Sequence, residues 1–70
     1  MTQARRAVRL VFLRDLLYKR PHTIPQLARL TGVSERTIYR DLCDLQLSPL
    51  DVALMVVEGN RWVAFDPREN

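Results

Sequence analysis

A mainly α-helical domain that carries one β-hairpin is the fold class this sequence predicts, and three observations predict it. Residues 23–45 hold two helical patterns separated by only about three residues, residues 4–19 hold a third, and residues 52–57 and 61–65 are two β-branched and aromatic runs on either side of Gly59-Asn60. Together they describe a single unit over residues 1–70, a three-helix core with a two-stranded wing: the winged helix-turn-helix layout.

The first helix is expected over about residues 4–19 and is closed by Pro21, with Leu10, Leu13 and Leu17 as its core stripe. Val8, Phe12 and Leu16 make a second stripe at i, i+4, i+8, on a face that a one-sided surface helix leaves polar. Either the wing and terminal segments bury that stripe, or a subunit does.

The second helix begins at Thr23. Its hydroxyl suits an N-cap, Gln26 three residues on completes a capping box, and Pro25 occupies the first turn, where a missing N–H costs nothing. Leu27, Ala28 and Leu30 are expected to point inward. Gly32 ends the helix because it tolerates the positive φ of a C-cap. Val33 returns to the core and Ser34 caps the third helix, so the two helices must cross. Ala28, Gly32 and Ile38 are the structural positions of the motif: a small residue where the helices touch, the turn, and an apolar anchor.

In the third helix Ile38, Leu42 and Leu45 fall on one stripe, and at about 100° per residue Arg36 and Arg40 point roughly opposite to it. Thr37 and Tyr39 flank the arginines, and Ser34 sits at the positive helix end. That face combines phosphate-binding groups with two side chains able to grip guanine bidentately in a major groove, which predicts sequence-specific binding of double-stranded DNA. The plainer alternative is a solvated surface on which Arg40 pairs with Asp44 at i, i+4.

Pairing the wing strands across a two-residue loop sets Glu58 opposite Arg61, Val57 opposite Trp62, Val56 opposite Val63, Met55 opposite Ala64 and Leu54 opposite Phe65. Alternation then puts Leu54, Val56, Val63 and Phe65 on one face, and Met55, Val57, Trp62 and Ala64 on the other. A two-stranded wing buries one face, leaving the second for a partner, for the first helix's stripe or as an aggregation liability. Arg61 reaches a DNA backbone or minor groove, or pairs with Glu58.

Residues 9–45 resemble the N-terminal winged helix-turn-helix of bacterial WYL-domain regulators and of the deoxyribonucleoside-type sugar repressors. The resemblance covers about half of the chain. It is carried above all by Gly-Val-Ser-Glu-Arg-Thr-Ile-Tyr-Arg-Asp-Leu at 32–42. It implies DNA contacts at Ser34, Arg36, Thr37, Tyr39 and Arg40, and a transcriptional regulator of bacterial or phage origin. The ligand-sensing second domain that these regulators carry is absent from, or lies outside, these 70 residues.

Composition bounds the remaining classes. Seventy residues with 47% hydrophobic content suffice for one small core, near the size at which such a core is marginal. The net charge is +3, and nine of the eleven basic residues precede residue 41: Arg5, Arg6, Arg9, Arg14, Lys19, Arg20, Arg29, Arg36 and Arg40. A polyanionic partner is favoured, with first-helix arginines along its phosphates. One cysteine, Cys43, offers neither a disulfide framework nor a zinc ligand set, and no cofactor is expected. The apolar run Leu10–Leu13 is cut by Arg14 and Asp15, far short of a membrane span, so a cytoplasmic, nucleoid-associated protein is expected. The lone His22 lies in a loop, Asp41 and Asp44 lack metal-ligand spacing, and there is no phosphate-binding glycine loop, so the chain is not expected to be an enzyme.

One such module buries roughly 600–1,000 Å² on DNA and reads few base pairs, which predicts a homodimer on half-sites about one helical turn apart. The candidate interfaces are Val8, Phe12 and Leu16 on the first helix, or Met55, Val57 and Trp62 on the wing. A protein-interaction module using those same surfaces is the alternative function.

Overall fold

The computed structural model describes residues 2–67, with side chains from residue 5 onward. Helix α1 (Thr2–Lys19) is followed by a short strand β1 (His22–Thr23), α2 (Ile24–Thr31), α3 (Glu35–Leu45) and the hairpin β2 (Ala53–Val57) and β3 (Arg61–Phe65). Three helices thus share a small α+β domain with a three-stranded antiparallel sheet of order β1-β3-β2.

The helix boundaries follow from their caps. Thr23 accepts the Gln26 N–H at 3.3 Å while the Gln26 side chain accepts the Thr23 N–H at 2.9 Å, closing the expected capping box. Gly32 turns at φ 76 and donates its N–H to the Ala28 carbonyl at 2.8 Å, a left-handed C-cap. The Ser34 hydroxyl accepts the Thr37 N–H at 3.1 Å and starts α3.

Leu13 and Leu17 of α1, Leu27 of α2 and Ile38, Leu42 and Leu45 of α3 are fully buried, joined by Ile24, Val52 and Ala64. Two inward residues were unexpected or misplaced. Ile24 is in the core, whereas Leu30 is 53% exposed. The buried side of α2 centres on Ile24, Leu27, Ala28 and Thr31, and Leu30 lies roughly 100° around the helix from that centre.

The sheet corrects the expected two-stranded wing twice. First, His22 and Thr23 pair with Trp62 and Arg61 as a third strand. Pro21 favours extended backbone in front of it, but two residues show no periodicity. Second, the hairpin turns through three residues, Glu58, Gly59 and Asn60, with positive φ at Gly59 (83) and Asn60 (57). Val57 therefore faces Arg61, Val56 faces Trp62, Met55 faces Val63, Leu54 faces Ala64 and Ala53 faces Phe65. One residue of register changes which side chains share a face. Leu54, Trp62 and Ala64 turn towards the helices, while Met55, Val57, Val63 and Phe65 occupy the outer face.

Trp62, expected on the outer wing surface with Met55 and Val57, instead packs against the core. Of the α1 stripe, Val8 is 69% and Phe12 43% exposed, whereas Leu16 is half-buried against the core. No helix among the described residues is long and apolar enough to cross a membrane.

Candidate nucleic-acid interface

Helix α3 presents its polar side to solvent because its apolar stripe, Ile38, Leu42 and Leu45, is wholly consumed by the core. Arg36, Tyr39 and Arg40 are exposed on that side. Among the described residues neither Arg36 nor Arg40 has a hydrogen bond or ion pair to another side chain, so both guanidiniums keep their full donor sets for an external acceptor. Ser34 and Thr37 are linked, the Ser34 hydroxyl donating to the Thr37 hydroxyl at 3.0 Å. That arrangement leaves the Thr37 hydroxyl proton free to donate outward. Arg61 lies apart from this group on the hairpin.

Cys43 was not expected to matter, yet it is exposed and lies on the same ridge as Arg36 and Arg40, at i, i+4, i+7. The spacing 36, 40, 43 was readable in the sequence.

Two of the three acids of α3, Asp41 and Asp44, have a use that spacing along one helix could not reveal. Asp41 is 1% exposed and is gripped by Arg9 of α1, whose Nε and Nη2 donate to its carboxylate at 2.5 and 3.1 Å; Arg6 Nε stands 3.9 Å away. Asp44 pairs with the Arg6 guanidinium. The expected Arg40–Asp44 pair is thus replaced by an α1–α3 pair, and Arg6 and Arg9 each hold an ion pair with α3 within the domain. The hydrogen bond to Asp41 holds the Arg9 guanidinium above its ordinary range, outweighing the opposite effect of burial, with the Asp41 charge adding to the rise. A pKa raised from so high a starting value gives stability that is lost only in strongly alkaline solution, so this guanidinium stays charged throughout the neutral range.

Two clefts flank α3. On the α1 side a polar cleft of about 190 Å³ is lined by Arg6, Arg9, Thr37, Arg40 and Asp41. On the hairpin side a cleft of about 450 Å³ runs between Glu35 and Tyr39 on one wall and Val56 and Trp62 on the other, with Asn60 at its rim. Arg61 is exposed, and its Nε donates to the Glu58 carbonyl at 2.8 Å, which ties it across the turn through backbone rather than through the Glu58 carboxylate. His22 sits in β1 with Nδ1 donating to the Arg20 carbonyl at 2.9 Å.

Among the described residues no group of His, Cys, Asp or Glu is placed to hold a metal ion. Comparison with protein families, with characterised proteins and with solved structures finds no match to this chain.

Proposed function

We propose that this domain is a winged helix-turn-helix that binds double-stranded DNA sequence-specifically, as the DNA-reading part of a prokaryotic or phage transcriptional regulator acting in the cytoplasm. Helix α3 is the recognition helix and the β2–β3 hairpin is the wing. One observation carries this reading. Four arginines cluster about α3, and the domain neutralises the two on α1 with Asp41 and Asp44 while leaving Arg36 and Arg40 exposed and unpartnered. An uncompensated pair of guanidiniums one helical turn apart has the spacing and donor geometry to read guanine in a major groove. The Thr37 hydroxyl proton and the α3 N-terminus would hold the adjacent backbone.

Fluorescence anisotropy on duplexes enriched from a random pool, titrated with salt, tests the reading. With Arg6 and Arg9 already paired, about two to four phosphate contacts per domain remain, and log K should fall against log salt with a slope of roughly −2 to −4. A slope near zero, or equal affinity for enriched and random duplexes, would contradict it. The outer sheet face with Met55, Val57, Val63 and Phe65 favours a second reading, a protein-interaction module, which predicts that flat response.

A further inference from the structure

Helix α1 contributes Leu13 and Leu17 to the core and Arg6 and Arg9 to α3, yet one long side of it is left uncovered. On that side Arg5, Val8, Phe12 and Asp15 follow one another at spacings of three, four and three, the a/d rhythm of a coiled-coil seam. All four are solvent-accessible: Arg5 is exposed, Val8 and Phe12 are 69% and 43% exposed, and the Asp15 side chain is 60% exposed, accepting a surface hydrogen bond from its neighbour Arg14 at 3.3 Å that leaves its second oxygen for another cation. Val11 flanks the seam on one side and is itself exposed. Arg5, Val8 and Phe12 of the seam themselves line a groove of about 460 Å³, which they share with Leu30, Thr31 and Val33.

The seam is complementary to itself. When two copies of α1 lie antiparallel about a two-fold axis near residue 10, each a position meets a d position of the other helix. Phe12 then covers the other copy's Val8, and Arg5 meets the other copy's Asp15, each contact made twice. A cation closes one end of the seam and an anion the other, so the antiparallel register satisfies both, whereas a parallel one would set Arg5 on Arg5 and Asp15 on Asp15. The outer sheet face has no such property: its strand positions carry one charge, Arg61, and no acid.

We propose that this chain pairs with a second copy of itself along α1, antiparallel, through the Val8–Phe12 seam and reciprocal Arg5–Asp15 ion pairs. The contact stands whether or not the domain binds DNA. Two apolar layers and two charged ones make an interface at the small end of the range, so the pairing is reversible and depends on concentration.

Sedimentation equilibrium of the whole chain without DNA, from micromolar to millimolar, tests it. The natural chain should dimerise reversibly. Arg5→Asp and Asp15→Arg should each weaken dimerisation about tenfold or more by setting like charges together, and the double swap should restore it. Neither swap should unfold the domain, since an acid near the start of α1 and a base nearer its end both suit the helix dipole; circular dichroism checks this. Phe12→Glu should be a folded monomer. A natural chain monomeric throughout, a dimer indifferent to both single swaps, or a double swap that recovers nothing would overturn the proposal.

Discussion

Replacing Arg36 or Arg40 by alanine is expected to cost about 1–3 kcal/mol on an enriched duplex and to relax the sequence preference at the base that the lost guanidinium contacted. Neither side chain forms a hydrogen bond or ion pair with another described residue, so the folded state should be nearly indifferent to the change. An Arg40→Lys variant sharpens the distinction: lysine keeps the charge but loses the bidentate fork, so affinity for random duplexes should persist while discrimination falls. Repeating the enrichment with each variant reads the outcome. If both alanine variants enriched the original motif with undiminished affinity, α3 would not be the reading element.

Arg9→Ala should have the opposite signature, a large loss of stability. It strands the Asp41 carboxylate, 1% exposed, without its bidentate partner, and breaking a buried ion pair in this way costs about 3 kcal/mol or more. Arg6, with Nε 3.9 Å from the same carboxylate, softens the loss without supplying the second hydrogen bond. In a domain of this size the whole folding free energy is on the order of 4–10 kcal/mol, so the variant should unfold at a much lower urea concentration. Replacing Arg9 and Asp41 together by apolar residues should recover much of that loss, because it also removes the cost of burying two charges. An Arg9→Ala domain unfolding at the same urea concentration as the natural chain would show that the pair holds nothing.

The local chemistry of the chain was legible where a single residue type has one physical use at a given place. Thr23 and Gln26 form their capping box, Gly32 takes positive φ, and Ser34 caps α3, because each satisfies or permits a backbone requirement set by its immediate neighbours. The stripe Ile38, Leu42 and Leu45 and the outward Arg36 and Arg40 followed from helical period alone. What could not be read depended on partners distant in sequence. Asp41 is buried only because Arg9, 32 residues away, neutralises it, and no pattern within α3 announces that. Trp62 turned inward because the loop took three residues instead of two, and a slip of one position exchanges the faces of a strand. His22 and Thr23 became a strand only by lying beside β3. The candidate site was therefore readable on α3 itself, and what steadies α3 against α1 was not.

Cys43 offers the most direct test that the α3 ridge is the surface laid on DNA. It is the chain's single cysteine, it is exposed, and it follows Arg36 and Arg40 along that ridge. The measurement is the rate of its alkylation by a maleimide, with and without saturating enriched duplex. DNA docked on α3 should slow the reaction in proportion to the fraction of domain bound, and protein alkylated beforehand should no longer bind. An unchanged rate in a saturated complex would place the DNA on another face and contradict the assignment of α3 as the recognition helix.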